Sequence, residues 1–260
     1  MVRNTATIIV QNTTSETDLW LPAAAGSYQD ALAVFRFRLT DDADVNHRLQ
    51  SLLQPDEFSR AGRFRRAEDQ RRFGSARGLL RLIAGAYLEQ SPTAVRFAVG
   101  PNRKPELADA TGWHFNVSHA GEWILLAFGR MPVGVDVEYV NPTLSIDDLL
   151  PVSFSPEEQA YLRAQTDVRR SFYTLWTRKE ALAKATGQGI DEDFHRLPGL
   201  VGQHDRPSQG LVQSGCWVVW SGAVADAYPA AVAYRLPESS DPALAPRFYT
   251  LDDQLLNDGY

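Results

Sequence analysis

Between Val133 and Glu138 the chain reads Val-Gly-Val-Asp-Val-Glu, and this alternation is a strand period. Val133, Val135 and Val137 share one face; Gly134, Asp136 and Glu138 share the other, because residues i and i+2 lie on the same side of a strand. The pattern predicts a half-buried strand with two carboxylates side by side. Like charges at that spacing repel unless a cation lies between them or one is protonated. Hard oxygen donors suit Mg²⁺. A solvated edge strand with two surface acids satisfies the same pattern.

Trp113 to Gly129, just upstream, reads as a hairpin. Its apolar positions are Phe115, Val117, Trp123, Leu125 and Ala127, with Ser118-His119-Ala120-Gly121-Glu122 at the turn. Neighbours on an extended chain point opposite ways, which argues against a direct Ser118–His119 proton relay. Two donors to a bound phosphate, or two ordinary turn residues, fit better.

Helical spacing appears at Leu49, Leu52 and Leu53, at Phe58 and Ala61, at Ile146, Leu149 and Leu150, and in three further stretches. From about Glu68 to Leu88, Phe73, Ala76, Leu80, Ile83, Ala84 and Tyr87 recur every three or four residues. The polar side there, and the stretch before it, carry Arg60, Arg63, Arg65, Arg66, Arg71, Arg72, Arg77 and Arg81. That excess is either an anion site, since guanidinium donates in pairs, or a solvated face with ion pairs. Ser155-Pro156-Glu157-Glu158 is a helix start with a capping box. Val168 to Thr186 forms the third of these stretches, ended by Gly187 and Gly189. On it Trp176, Glu180 and Lys184 share a face. Glu180 and Lys184 are a surface pair unless Glu180 faces Asp136 and Glu138; in that case three carboxylates converge and a divalent cation is the natural explanation.

Further strands are expected at Ala6–Val10, Ala31–Leu39, Val95–Val99, Cys216–Ala223 and Ala230–Arg235. The stretch from Ile190 to Gly215 reads as loop. Residues 1–30 read as a loosely packed N-terminal arm, anchored near Trp20, and 239–260 as a tail packed by Phe248, Tyr249 and Leu251. The two halves between them are 31–132 and 133–238. A net charge of -6 argues against a bulk nucleic-acid binder, and the arginine helix lacks interleaved aromatics. One cysteine, Cys216, excludes an internal disulfide and a cysteine-rich zinc site. No apolar run approaches about 18 residues and no signal pattern opens the chain, so a cytoplasmic protein, away from membranes, is expected.

Four segments together resemble the 4'-phosphopantetheinyl transferases, specifically the larger, monomeric class acting on polyketide and non-ribosomal peptide carrier proteins. They are Arg-Lys-Pro at 103–105, Phe-Asn-Val-Ser-His at 115–119, Gly-Val-Asp-Val-Glu at 134–138 and Trp-Thr-Arg-Lys-Glu-Ala-Leu-Ala-Lys at 176–184. The resemblance, spanning about Ala31 to Arg235, implies an α+β fold. Its two halves, each an antiparallel sheet with packed helices, are related by pseudo-two-fold symmetry, with coenzyme A in the cleft between them. It implies transfer of the phosphopantetheine arm of coenzyme A to a serine of an acyl or peptidyl carrier protein, releasing adenosine 3',5'-bisphosphate. Asp136, Glu138 and Glu180 would hold Mg²⁺. Arg60, Arg72, Lys104, Ser118 and His119 would contact coenzyme A, and Lys184 its diphosphate. Glu180 would be the base, with Lys184 and Asp136 completing the catalytic set. Glu57 stands near where some members have a basic residue just upstream of Arg60, and Arg103 where glycine is usual. An arginine-rich or apolar rim near residues 60–81 would receive the carrier protein.

Two other functions use the same residues. A Mg²⁺-dependent diphosphate hydrolase would turn over coenzyme A with no carrier protein present. A non-catalytic module would bind coenzyme A or a carrier protein and form no product.

Overall fold

The computed structural model describes residues 5–13, 19–24, 28–100, 102, 104–189, 193–207, 212–237 and 244–253. Arg103, and with it the expected departure at that position, lies outside the described residues.

Two five-stranded sheets share a core. The first contains β1 (Thr5–Asn12), β8 (Val133–Val137), β9 (Gly202–Pro207), β10 (Gly215–Ala225) and β11 (Tyr228–Leu236), in the order β8-β11-β10-β1-β9. The second contains β2 (Trp20–Pro22), β3 (Leu32–Arg38), β6 (His114–Ala120), β7 (Trp123–Gly129) and β12 (Arg247–Leu251), in the order β2-β12-β3-β7-β6. Val133, Val135 and Val137 of β8 pack with Leu32 and Val34 of β3, Leu125 and Ala127 of β7, and Val218 and Val232. On the far side of the second sheet, Phe35 and Phe37 pack under α1 (Ala43–Ser51) and α3 (Ala67–Tyr87), with α2 (Pro55–Ala61) beside them. On the far side of the first sheet, α6 (Val168–Thr186) covers Ile8, Val10, Trp217 and Ala231. The remaining elements are a small ribbon, β4 (Phe97–Val99) with β5 (Pro105–Leu107), and the short helices α4 (Leu150–Ser153) and α5 (Pro156–Arg163).

This fits an α+β fold of two helix-flanked sheets, with one correction. The sheets are mixed, because β1 runs parallel to β10 and β12 runs parallel to both β2 and β3. The predicted hairpin and the helices over 68–88, 156–163 and 168–186 form close to their expected bounds. Ser155 caps α5 through a capping box, and Gly187 (φ 76°) ends α6 in the left-handed region.

Two readings are corrected. The arm is not loose: Thr5–Asn12 is an interior strand of the first sheet, hydrogen-bonded to β10 on one side and β9 on the other. The loop over 190–215 contains β9, whose polar sequence Gly-Gln-His-Asp-Arg-Pro carries no apolar alternation. The tail packs through Phe248, Tyr249 and Leu251, as expected, and does so as an interior strand of the second sheet.

Candidate active site

The open edge of β8 faces the open edge of β6, so the two sheets meet along a seam. Side chains take the place of ladder bonds there. Asn116 Oδ1 accepts from the Val135 amide at 2.9 Å, and Lys104 Nζ donates to the Val133 carbonyl at 3.3 Å. A covered edge satisfies backbone groups that would otherwise be orphaned.

Gly134 lets α6 approach. A Cβ there would lie 2.2 Å from the Ala181 carbonyl oxygen and 2.3 Å from the Ala185 nitrogen. The polar face of β8 is therefore not solvated, contrary to the half-buried expectation: every residue of the strand is buried. Asp136, 2 % exposed, lies beneath α6, which brings Glu180 and Lys184 over it. Lys184 Nζ donates to Asp136 Oδ1 at 2.6 Å, and Ser118 Oγ donates to the same oxygen at 2.8 Å. Lys184 Nζ is 3.3 Å from Ser118 Oγ and 3.9 Å from Glu180 Oε2. The other oxygen of Asp136, Oδ2, is buried with no hydrogen-bond partner.

The electrostatics follow from that crowding. Burial raises the Asp136 pKa, with Lys184 and Ser118 opposing. Glu138, just past the end of β8, is pushed up to about 7 by burial and by the charges of Asp136 and Glu180, with Lys184 opposing. Glu180 is likewise pushed up to about 7, by burial first, with Lys184 opposing and Asp136 adding. The three acids thus share one poorly solvated region with a single lysine ammonium among them. Among the described residues, no three His, Cys, Asp or Glu side chains are drawn together into a ready metal cage.

The remaining predicted residues lie around this seam. Ser118 and His119 point to opposite sides of β6: Ser118 is buried on Asp136, and His119 is exposed on the wall of a cavity. The His119 pKa is lowered by desolvation and by nearby Arg72 and Lys184. Arg72 donates to the Gly121 carbonyl at 2.9 Å and pairs with Asp69 at 2.8 Å. Lys104 turns inward, donating to the Lys184 carbonyl at 2.6 Å; burial lowers its pKa to about 8. Beside it, Asn102 donates to the carbonyls of Gly187 and Gln188 at 2.7 and 3.0 Å, capping α6.

The cavity, of about 480 Å³, lies between α2, α3 and the β4–β5 ribbon. Arg60, Arg77, Arg81, Arg96 and His119 line it with Phe73 and Phe97. Glu57 is buried in its wall in a two-bond pair with Arg81, at 2.8 and 3.0 Å. The arginines of this region therefore do not form one solvated face; some are enclosed with Glu57.

Sequence reading missed Asn116 and Asn102, whose roles depend on contacts across the two sheets. It also missed Lys179, fully buried on Glu158 at 2.7 Å beside the Ser153 and His195 carbonyls. Lys179 ties α6 to α5, and periodicity alone gave it no such place.

Residues 132–233 match the 4'-phosphopantetheinyl transferase superfamily model, and residues 36–130 match a model described as 4'-phosphopantetheinyl transferase, N-terminal. The chain is similar to 4'-phosphopantetheinyl transferase HetI of Nostoc sp. (strain PCC 7120 / SAG 25.82 / UTEX 2576), at 36% identity over 179 residues, covering 66% of this chain and 76% of that one. The chain belongs to the 4'-phosphopantetheinyl transferase superfamily. It is also similar to 4'-phosphopantetheinyl transferase psf-1 of Bacillus pumilus, 30% identical over 220 residues (81% of this chain, 93% of that one). A third relative is 4'-phosphopantetheinyl transferase Sfp of Bacillus subtilis (strain 168), 32% identical over 152 residues (56% and 66%). The activity that goes with this membership is transfer of the phosphopantetheine arm of coenzyme A to a carrier protein. No helix among the described residues is long and apolar enough to cross a membrane.

Proposed function

We propose that this protein is a Mg²⁺-dependent holo-[acyl-carrier-protein] synthase serving acyl and peptidyl carrier proteins of polyketide and non-ribosomal peptide synthesis. It works as a cytoplasmic monomer, with no nucleic-acid partner. Its two lobes, 31–132 and 133–238, are related by pseudo-two-fold symmetry. The observation that carries the reading is the seam: a buried Asp136 with one unpartnered oxygen, beside two glutamates held near pH 7 by burial and mutual repulsion.

The residues fit a hard cation, since the donors are all carboxylate oxygens. Asp136, Glu138 and Glu180 would hold it, and the ion would neutralise charge on the diphosphate as the bond to the leaving group breaks. The chain's own part is positioning. Lys184, fixed by Asp136, directs its ammonium to the diphosphate. His119 presents a ring nitrogen on the cavity side of β6, while Ser118, on the other side, has its one O–H on Asp136 and turns it to a phosphate when coenzyme A binds. Lys104 spends two contacts on backbone carbonyls, which leaves one N–H of its ammonium for a phosphate. Arg60 and Arg72 hold the remote 3'-phosphate and its neighbourhood, and binding there steers the reacting end. Glu180 is the base for the acceptor serine, because it reaches the seam from α6, across from Asp136 on β8.

The test is the intact mass of a purified apo carrier protein after incubation with this protein, coenzyme A and Mg²⁺. A gain of about 340 Da, the mass of the arm, is expected, and is lost when the acceptor serine is changed to alanine. Absence of any gain across several carrier classes, with coenzyme A binding intact, would overturn the reading.

A further inference from the structure

The arginines around the cavity are not equivalent. Arg81, 2 % exposed, is fully engaged: Nε and one terminal nitrogen bind Glu57, and the other binds the Pro92 and Val95 carbonyls at 3.2 and 2.9 Å. Arg96 donates to Gln54 Oε1 at 3.3 Å on the outer rim. Arg60 stacks over the Phe73 ring at 5.1 Å. Arg77 differs from all of them. Its Nε reaches Glu57 Oε1 at 3.2 Å, and its guanidinium lies over the Phe97 ring at 5.0 Å. Among the described residues its two terminal nitrogens have no assigned acceptor, yet its side chain is only 14 % exposed and lines the cavity.

The charge count points the same way. Four arginines line the cavity against two acids, Asp56 and Glu57, among the described residues. The acid nearest Arg77 is already shared with Arg81 and with the Gln54 amide, which donates to Glu57 Oε2 at 2.8 Å. Arg77 therefore sits half-buried between Arg60 and Arg81 with part of a counter-charge. Its pKa is lowered by burial, with Arg81 and Arg60 adding and Glu57 opposing. A planar fork held over an aromatic ring, with both terminal nitrogens unclaimed, is arranged to take an oxyanion in pairs.

We infer that Arg77, aimed by Glu57, is a specificity-determining contact for the 3'-phosphate of coenzyme A. The inference rests on the transferase reading above. Glu57 is the positioning residue: it holds Nε so that the terminal nitrogens face the cavity.

The experiment compares coenzyme A with 3'-dephospho-coenzyme A on the full chain, by calorimetric binding and by transfer to an apo carrier protein. Wild type is expected to prefer coenzyme A in both. Arg77→Gln is expected to cut that preference by about ten- to a hundredfold, the range for losing a charge-assisted contact. Arg77→Lys, which restores the charge without the fork, is expected to recover part of it. Glu57 keeps its two bonds to Arg81 in both variants, so folding should survive, and thermal melting checks that. An unchanged preference in Arg77→Gln, or none in wild type, overturns the inference. Binding that discriminates without any transfer would sink the transferase reading and leave this assignment standing.

Discussion

The seam and the cavity are opposite solutions to one problem. At the seam three carboxylates surround one lysine, and their pKa values rise. In the cavity four arginines surround two acids, and the pKa of Arg77 falls. Both regions bury charge that the chain itself only partly balances. A third buried charge, Lys179, is also lowered in pKa by burial, but Glu158 and two carbonyls take all of its ammonium N–H groups, and it ties helices together. On the function proposed above, a guest of opposite sign would complete the electrostatics at the first two places: a cation at the seam, a phosphate in the cavity.

The cavity is the place to break the contrast hardest. Glu57→Ala strands Arg81 with no counter-charge, and losing one partner of a buried pair costs about 3–5 kcal/mol. Urea denaturation should show that loss. Stability equal to wild type would mean the enclosed arginines need no acid. At the seam the balance tips the other way. Asp136→Asn keeps a hydrogen-bonding oxygen for Ser118 and Lys184, so the melting temperature should stay near wild type. The transfer rate, followed by carrier-protein mass, should fall by about a hundredfold or more. A rate within about threefold of wild type would detach the seam from the chemistry.

The smallest expected effect comes from protons. In the folded protein Glu138 and Glu180 keep a proton up to about 7, whereas the unfolded chain releases it near 4.5. Between those values the folded state binds more protons, so stability falls as pH rises. Without divalent ions the melting temperature should be a few degrees lower at about pH 8 than at about pH 5.5. Mg²⁺ should restore more of it at the higher pH, where it no longer competes with protons. A Mg²⁺ effect equal at both pH values would separate the ion from these two carboxylates.

Much of this was legible from the residues. Local pattern was enough for the β6–β7 hairpin, the capped start of α5 and the length of α6, because caps, turns and periodicity are short-range signals. The alternation in β8 was legible too, but not what covers it. Gly134 was the clue, and it becomes readable only once Ala181 and Ala185 are known to lie against it. The strand at 5–12 pairs in parallel with one some 210 residues away, a contact with no local trace. The acids could be named as a set, yet the lysine set between them, the orphaned Asp136 oxygen and the inward turn of Lys104 all depend on distances across the seam. Glu57 looked like a departure in charge; its meaning lay in Arg77 and Arg81, 20 and 24 residues further along the chain on the next helix.

One feature of the sheets bears on how the protein is made. The strand at 247–251 lies between β2 and β3, and the strand at 5–12 lies between β9 and β10. Neither sheet can be completed as its own stretch leaves the ribosome. The second sheet has a gap until residue 251 has emerged, and the strand at 5–12 waits for residues 202 to 225. Such long-range pairing slows folding. Both sheets therefore close late, after most of the chain has been made, whereas the residues lining the arginine cavity all lie within 54–119 and are made early.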